Sequence, residues 1–256
     1  MKRYENRRVL VTGAGSGIGR ATVQRILAEG GRVFAVDVDE TGLKETYAKA
    51  AGAGHADRLT TALLDVSDEA AVRAGVAAAT GTLGGLDVLV NAAGILRSEH
   101  THKTTLDCFN RVIAVNLTGT FLMIREALPA LLDGDRPVVV NFSSTSASFA
   151  HPYMAAYAAS KGGIQSMTHA IASEYSKQGL RAVCVAPGSI ASGMTTGTGP
   201  GLPDDADMSL FAKLAPAIGQ GFAGPETVAG VVAMLGSEDG AFITGTEIRI
   251  DGGTHF

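Results

Sequence analysis

A tyrosine and a lysine lie four positions apart in the stretch YAASK, as Tyr157 and Lys161. On a helix these positions share a face, so the Lys161 ammonium can lie near the Tyr157 phenol. Because a phenol has a pKa of about 10 and a neighbouring cation favours its charged form, we expect the lysine to lower that pKa and make Tyr157 a usable acid and base. A chance pair on a solvated helix is the alternative, but the alanines and glycines around it favour close approach by a flat molecule.

Two serines, Ser143 and Ser144, lie just upstream in the stretch NFSSTS, at the end of an apolar run. A hydroxyl at that position can donate a hydrogen bond to a substrate oxygen as negative charge develops on it. We therefore expect these serines beside the start of the helix that carries Tyr157.

A glycine-rich turn, TGAGSGIG, follows the first apolar run and leads into a helical pattern that begins near Ile18. Its glycines let the backbone approach a pyrophosphate, and the N–H groups of a helix N-terminus can bind one. The spacing is not GxGxxG, and a purely structural tight turn is the alternative. The candidate dinucleotide-binding residues of this turn are Gly13, Ser16, Gly17, Ile18 and Gly19.

Asp37 ends the second apolar run, RVFAVD, about twenty residues beyond the turn, where a carboxylate can accept both hydroxyls of an adenosine ribose. The same carboxylate would repel a 2′-phosphate. Neither Ser16 nor Val38 is a cation that would neutralise such a phosphate, and Asp39 adds negative charge. These residues favour NAD over NADP, with an ordinary solvated acid as the alternative for Asp37.

The third and fourth apolar runs end in two further segments that we expect at the same edge of the sheet, flanking the adenine and the ribose. These segments are Asp65-Val66 and Asn91-Ala92-Ala93-Gly94.

Short β-branched runs that must position these residues alternate with longer helical patterns along the chain. The runs are RRVLVTG, RVFAVD, RLTTALLD, LDVLVNAAG, RPVVVNFSS, LRAVCVAPG and TEIRID, and the helical patterns cover 17–30, 40–51, 68–80, 104–132, 153–178 and 225–236. We expect Pro129 to bend or end the fourth helix and Gly134 to stop it. The alternation predicts an α/β fold in one domain, 1–256, with a doubly wound parallel sheet of seven strands, helices on both faces and ligands beyond the carboxyl ends of the strands.

Residues 189–224 break this alternation with many glycines and prolines before any clear helix. A long irregular insert in a compact domain usually has a role, so we expect a substrate lid, with a surface loop of no role as the alternative. The substrate-site candidates are Ser144, Ile95, Arg97, His151, Tyr153 and Met194. We also count nearby residues as possible substrate contacts, namely Phe149, Met154, Met208, Leu210, Phe211 and Leu214. The whole set is mostly apolar with a few polar groups, which favours a neutral or weakly polar secondary alcohol or ketone. Arg97 could pair with a substrate carboxylate or be a solvated loop residue.

Composition excludes several function classes. The formal charge of −4 gives no electrostatic footprint for nucleic acid. The cysteines, Cys108 and Cys184, are too few for a disulfide framework, and no stretch approaches the roughly 20 apolar residues of a membrane span or forms a signal peptide. His100 and His102 lack further ligands for a metal site. We expect a cytoplasmic chain whose partner is a small molecule.

The chain resembles the short-chain dehydrogenase/reductase family in a series of motifs that follow the family's order. They are TGAGSGIG, NAAG, Asn116 in VNLTG, Ser144 ahead of YAASK, Pro187-Gly188 after the sixth run, and the final ITGTEIRIDGG. The resemblance covers nearly the whole chain from about residue 8. It implies a Rossmann-like fold, a nicotinamide cofactor and assembly into homotetramers.

The resemblance also implies roles for particular residues. Tyr157 would be the catalytic acid and base, Lys161 would hold the nicotinamide ribose and lower the tyrosine pKa, and Ser144 would orient the substrate oxygen. Asn116 would keep a water in a proton relay that reaches Lys161. The segment along the nicotinamide would comprise Pro187, Gly188, Ile190 and Ser192, where the family usually has threonine at the last position.

The expected reaction is the NAD-dependent interconversion of a secondary alcohol and a ketone. One alternative is a reductase of carrier-bound 3-oxoacyl chains, against which Asp37 weighs because such members generally resemble NADP users. The other is a regulatory module that binds NAD without chemistry, against which the complete set of Ser144, Tyr157 and Lys161 weighs.

Overall fold

Seven parallel strands form the middle layer of the structure, in the order β3-β2-β1-β4-β5-β6-β7. The structure, a computed structural model, describes residues 2–195, 201–219 and 221–255. The strands are β1 (Arg8–Thr12), β2 (Arg32–Asp37), β3 (Leu59–Leu63), β4 (Val88–Asn91), β5 (Val138–Phe142), β6 (Arg181–Pro187) and β7 (Glu247–Ile250). β4 and β5 are buried along their whole length, as parallel strands covered on both faces must be. The predicted doubly wound α/β fold is confirmed.

Helices cover both faces of this sheet. In the described residues the α-helices are α1 (Gly17–Ala28), α2 (Glu40–Gly52), α3 (Glu69–Leu83), α4 (Leu106–Ile113), α5 (Gly119–Leu132), α6 (Ala155–Glu174) and α7 (Pro225–Leu235). On one face, Val23 of α1 and Val228 of α7 belong to the same core cluster as Val11 of β1. On the other, Met123 of α5 and Leu89 of β4 share the second cluster with residues of α3 and α6.

The chain reverses direction across the sheet at β1. It proceeds outward through β2 and β3, and then returns so that β4 lies on the other side of β1. In an open α/β sheet the crevice at such a reversal is the usual ligand site. Two segments were predicted to end these strands and to flank a ligand. Asp65-Val66 lies beyond β3, which stops at Leu63, whereas Asn91 is the last residue of β4 and Ala92-Ala93-Gly94 follow it.

The predicted helix over 104–132 is a continuous helical stretch interrupted by one wider turn. α4 and α5 are joined by a π-helical turn over Ala114–Thr118, with Asn116 at its centre. α5 continues past Pro129 to Leu132, and Gly134 follows its end. A single π turn inside an α-helix is often found at a functional site.

The sequence was expected to contain no stretch close to a membrane span. The same stretch, Leu106–Leu132, is nevertheless the one helix within residues 2–195, 201–219 and 221–255 that is long and apolar enough to cross a membrane by length and composition. Half of its most apolar part is buried inside the protein. The burial of Leu122, Met123 and Ile124 places it in the core against the sheet.

The predicted lid, 189–224, contains little regular structure where it is described. A 3₁₀ helix covers Met208–Leu214, and Ile190 forms an isolated bridge with Ala223. Residues 196–200 and 220 of this prediction lie outside the described residues.

A buried carboxylate joins the amino ends of β1, β4 and β5 at the edge opposite the crevice. Asp87, which is 2% exposed, accepts hydrogen bonds from the Arg8 amide at 2.8 Å, the Arg8 guanidinium at 2.6 and 3.0 Å, and the Asp135 amide at 2.9 Å. Burial alone would raise the pKa of Asp87, but these hydrogen bonds outweigh it and hold the pKa below its ordinary value.

We expect Asp87→Asn to destabilise the protein by about 3 kcal/mol at pH 7, because it leaves Arg8 without its buried charge partner. The pKa of Asp87 is lower in the folded protein than in the unfolded chain, where it is about 4. The stabilisation by Asp87 is therefore complete above pH ~4, and it is lost as the pH falls through the pKa of the folded protein. The measurement is urea unfolding at pH 7 and at stepwise lower pH, where the difference between the two proteins should shrink below pH ~4.

The exposed Asp57 provides the matched control, and Asp57→Asn should change the unfolding free energy by less than about 0.5 kcal/mol. Equal effects of the two substitutions would contradict the role given to Asp87.

Candidate active site

A cleft of about 290 Å³ opens at the carboxyl ends of the central strands and gathers most of the residues singled out in the sequence. The sequence-predicted residues that line it are Gly13, Ser16, Gly17, Ile18, Gly19, Asp37, Asp65, Val66, Ala92, Ala93, Gly94, Ile95, Ser144, Tyr157, Lys161, Pro187, Gly188, Ile190, Ser192 and Met194. Five other predicted residues do not line it: Asn91, Asn116, Arg97, His151 and Tyr153.

The glycine turn has no room for a side chain at its first position. A Cβ on Gly13 would lie 2.7 Å from the Ala92 carbonyl carbon and the Ala93 amide nitrogen, and the Gly13 φ of 66° is in the left-handed region. The Ala93 amide also donates to the Thr12 hydroxyl at 3.1 Å. The turn after β1 and the segment after β4 therefore form one narrow backbone cradle, which fits the close approach of a dinucleotide pyrophosphate to the α1 N-terminus.

Asp37 is held against this turn. Its Oδ2 accepts from the Gly15 amide at 2.8 Å and its Oδ1 accepts from the Asp39 amide at 3.0 Å. Of the described residues that line the cleft, Arg111 and Lys161 are the lysines and arginines, and Arg111 already donates to the Ser67 hydroxyl at 2.9 Å and contacts Asp65 at 3.5 Å. Among the described residues of the cleft wall, Asp37 therefore presents a carboxylate without a cation bonded to it. Arg20 lies outside this wall, where it donates to the Gly15 carbonyl oxygen and to Glu45 at 2.7 Å.

Tyr157 and Lys161 meet on α6 as the YAASK spacing predicts. The Lys161 Nζ lies 5.5 Å from the centre of the Tyr157 ring and donates to the Phe142 carbonyl oxygen at 2.8 Å. Burial lowers the pKa of Lys161 to about 8. Its amine is thus anchored to the end of β5, beside the serines that follow that strand.

The expected lowering of the tyrosine pKa is not found in the chain by itself. Burial raises the pKa of Tyr157 to about 12, and a hydrogen bond with Ser144 opposes this only in part. The physical reason is that removal of water from the phenol disfavours its charged form more than the hydrogen bond with Ser144 favours that form. Tyr157 is therefore a neutral phenol, the form that can donate a proton.

Asn116 lies behind the cleft wall and is fully buried in the π turn. Its side-chain oxygen accepts from the Ile95 amide at 2.8 Å, and its side-chain nitrogen donates to the Ile95 carbonyl at 2.9 Å and to the Ser160 hydroxyl at 3.0 Å. One side chain thus joins the segment after β4, the α4–α5 helix and α6. A Cβ on Gly94 would lie 3.3 Å from Asn116 Oδ1 and 3.6 Å from Lys161 Nζ. The Asn116 side chain is therefore close to the Lys161 amine.

Ser144 is held through its neighbour by a residue of the last strand. The Ser144 amide donates to the Ser143 hydroxyl at 2.6 Å, and that hydroxyl donates to Glu247 Oε2 on β7 at 2.5 Å. The Ser144 hydroxyl accepts from the Ser146 amide at 3.2 Å and caps the short 3₁₀ turn that follows. Nothing in the local sequence of the serines indicates the part played by Glu247.

Asn91 belongs to a buried polar chain beneath the cleft. Its Nδ2 donates to Asn141 Oδ1 at 2.9 Å, and Asn141 Nδ2 donates to the Thr168 hydroxyl at 2.9 Å. That hydroxyl lies 3.3 Å from the Cys184 sulfur, which is fully buried. The chain links β4, β5, α6 and β6 and fixes the floor of the cleft.

The other substrate candidates outside the cleft wall have partners nearby. Arg97 is exposed, and its guanidinium donates to the Leu96 carbonyl at 2.8 Å. His151 is within 3.2 Å of the Thr145 hydroxyl, and burial together with His255 lowers its pKa. The Tyr153 hydroxyl accepts from the Asp207 amide at 2.8 Å.

Several residues that line the cleft were not singled out in the sequence. Arg111 and Val115 are four positions apart, about one helical turn, in the helical stretch that also carries Asn116, and this spacing could have placed both on one face. Thr195 also lines the cleft; its hydroxyl accepts from the Ser192 amide at 3.0 Å and donates to the Ile190 carbonyl at 2.7 Å. Within the part of the chain that the structure describes, no group of three or more His, Cys, Asp or Glu could hold a metal ion.

We expect Gly13→Ala to weaken NAD binding at least about tenfold, because a Cβ at this position displaces the cradle as well as straining a left-handed backbone. Gly179→Ala is the matched control, since Gly179 has a φ of 81° and nothing within 4 Å of its added Cβ. Titration calorimetry with NAD should show the loss only in Gly13→Ala. Equal affinities for both variants would contradict the cradle.

The sequence and the fold were compared with known proteins. A family model described as enoyl-(acyl carrier protein) reductase matches residues 13–255. The 2-(S)-hydroxypropyl-CoM dehydrogenase 3 of Xanthobacter autotrophicus is 37% identical over 98% of this chain and 97% of its own length. The levodione reductase of Leifsonia aquatica is 36% identical over 98% of this chain and 95% of its own.

A solved short-chain dehydrogenase of Burkholderia cenocepacia, in complex with NADP, superposes with a TM-score of 0.86 at 30% identity, covering 98% of this chain and 99% of that one. Together with the match to the family model over almost the whole chain, these similarities identify the protein's family. The chain belongs to the short-chain dehydrogenase/reductase family of oxidoreductases, which use nicotinamide cofactors.

Proposed function

We propose that this protein is an NAD-dependent oxidoreductase that interconverts a secondary alcohol and a ketone, with Tyr157 as its acid and base. The observation that carries the proposal is the placement of Tyr157, Lys161 and Ser144 in the wall of one cleft whose other end is the glycine cradle. The relatives named for a hydroxypropyl dehydrogenation and for levodione reduction support an alcohol or ketone substrate.

In the proposed site, the bound nicotinamide supplies the hydride chemistry. The chain orients the reactants and moves the proton. For reduction, the neutral Tyr157 phenol donates its proton to the carbonyl oxygen, while the Ser144 hydroxyl donates a hydrogen bond to the same oxygen. For oxidation, Tyr157 takes the proton of the substrate hydroxyl.

The pH dependence follows from the Tyr157 pKa. Since burial raises it to about 12 in the chain alone, the phenolate needed for oxidation is scarce at neutral pH and becomes more abundant as pH rises. Below its pKa of about 8, Lys161 is charged and stabilises the phenolate, and its hydrogen bond to the Phe142 carbonyl keeps that charge beside the ring. Above that pH the charge is lost, and the rise in phenolate comes from the titration of Tyr157 itself. Oxidation is therefore expected to speed up from neutral to mildly alkaline pH.

The preference for NAD rests on Asp37. Its carboxylate is fixed by the Gly15 and Asp39 amides at the edge of the cleft, where it can accept the ribose hydroxyls and would repel a 2′-phosphate. Val38 beside it is apolar and 64% exposed, so it supplies no compensating charge.

The decisive assay follows NADH absorbance with a panel of secondary alcohols at pH ~9, with NADP in parallel. We expect turnover with NAD that exceeds turnover with NADP, and Tyr157→Phe should lower it about 10³-fold, a typical contribution of acid–base catalysis. Tyr47→Phe, which removes a hydroxyl from an exposed tyrosine on α2, should retain full activity.

A clear preference for NADP would favour the alternative reductase of carrier-bound 3-oxoacyl chains. Binding of NAD without turnover of any alcohol or ketone, and with cellular function intact in Tyr157→Phe, would favour a module that senses NAD.

We also propose that the chain assembles into homotetramers. The α4–α5 helix exposes large apolar side chains, with Leu106 at 72% and Phe121 at 45% exposure, which a second copy could cover. Light scattering should give a mass four times that of the 26.2 kDa chain, and a monomer would contradict the proposal.

A further inference from the structure

Tyr153 occupies the point where three segments around the cleft meet. It precedes α6 by two positions, four residues before Tyr157, and its carbonyl accepts from the Glu99 amide of the segment after β4 at 2.9 Å. Its hydroxyl accepts from the Asp207 amide at 2.8 Å. The segments that it joins follow β4, β5 and β6 in the chain.

Aromatic contacts surround the same side chain. The ring of His100 packs edge-on against Tyr153 with 5.1 Å between ring centres, and Phe211 stacks at 6.1 Å. His100 also lies 2.8 Å from Asp205, which contacts Lys103 at 3.4 Å. The residues 205–211 are therefore fastened to the segment 95–105 both through Tyr153 and through an ion pair beside it.

The order of the strands indicates where residues 205–211 lie relative to the substrate site. β5 lies between β4 and β6, and Ser144 follows its carboxyl end. Residues 205–211 come after β6 in the chain, and their contacts with Tyr153 and His100 bring them to the segments that follow β5 and β4. These contacts point to a path across the end of β5, the strand that Ser144 follows.

The backbone of Tyr153 is strained to make these contacts. Its φ of 65° lies in the left-handed region, which bulky side chains rarely adopt. Such strain persists only where surrounding contacts hold it in place, and here they come from the segments after β4 and β6. Elsewhere the covering segment has little to hold it, since Met208 and Leu210 are 62% and 53% exposed.

We propose that Tyr153 is a positioning residue that fastens residues 205–211 across the end of β5 and so holds the cover of the substrate site in place. The expected effect on catalysis rests on the proposed function. The attachment of residues 205–211 by Tyr153 does not depend on it. Tyr153 thus acts on the substrate through the segment that it holds, and it does not line the cleft that contains the glycine cradle.

The test compares Tyr153→Phe with Tyr47→Phe. Tyr153→Phe keeps the ring and removes the hydroxyl that accepts from Asp207, so the segment should detach more often. Trypsin cleavage after the exposed Lys213, followed by mass spectrometry, should be about fivefold faster, the effect of one lost hydrogen bond. Cleavage after the exposed Lys177, at the far end of α6, provides an internal reference and should not change.

Kinetics distinguish positioning from general loosening. In Tyr153→Phe, the KM for the panel alcohol with the highest turnover should rise about fivefold, while the calorimetric Kd for NAD stays at the wild-type value. A second variant, Asp205→Asn, weakens the neighbouring ion pair and should accelerate Lys213 cleavage about twofold, because the pair is exposed.

Unchanged cleavage after Lys213 in Tyr153→Phe would overturn the proposal, and so would faster cleavage with an unchanged KM. If the wild type oxidises no alcohol, the proposed function has failed, and the cleavage rate alone decides whether Tyr153 holds the segment.

Discussion

The site depends on a steric constraint at one point of the sheet, where the chain leaving β1 and the chain leaving β4 run too close together for a Cβ at residue 13. This contact exists because β1 and β4 are parallel neighbours at the reversal of the chain. It fixes the cradle at one end of the cleft. From there the strand order places Ser144 and Lys161 one strand further along, so the distance between the cradle and the reacting groups is set by the spacing of the strands.

Burial acts in opposite directions on the two ionisable groups of the reacting end. It raises the pKa of the Tyr157 phenol and lowers that of the Lys161 amine, so it favours the neutral form of each. At neutral pH the phenol is therefore uncharged, whereas the amine, with a pKa of about 8, is still mostly protonated and donates to the Phe142 carbonyl. Their chemistry then depends on the charges and hydrogen bonds that a bound cofactor and substrate bring.

The sequence predicted those features that local patterns encode. The apolar runs predicted the strands, and TGAGSGIG predicted the tight turn that forms the cradle. The spacing of Tyr157 and Lys161 predicted that they share a helix face. Each of these features depends on residues that are close in the chain. The π turn and the true surroundings of Tyr153 were not predictable in this way. The hydrogen bond between the Tyr153 hydroxyl and the Asp207 amide depends on the path of an irregular segment that has no periodic signal. The prediction of Tyr153 as a substrate residue could not include this contact. The raised pKa of Tyr157 was also missed, since helix spacing reports a neighbouring charge and not the loss of water.

The bond between Ser143 and Glu247 has a consequence for how the molecule is made. The two residues are 104 positions apart, and Glu247 belongs to the strand at the edge of the sheet that is the last to be synthesised. On a ribosome the glycine turn emerges early and can pack as soon as β4 follows it. The loop that carries Ser144 cannot be held in this way until β7 has been synthesised, because the carboxylate of Glu247 belongs to β7. The hydrogen bond between Ser143 and Glu247 can therefore form only when nearly the whole chain has been synthesised.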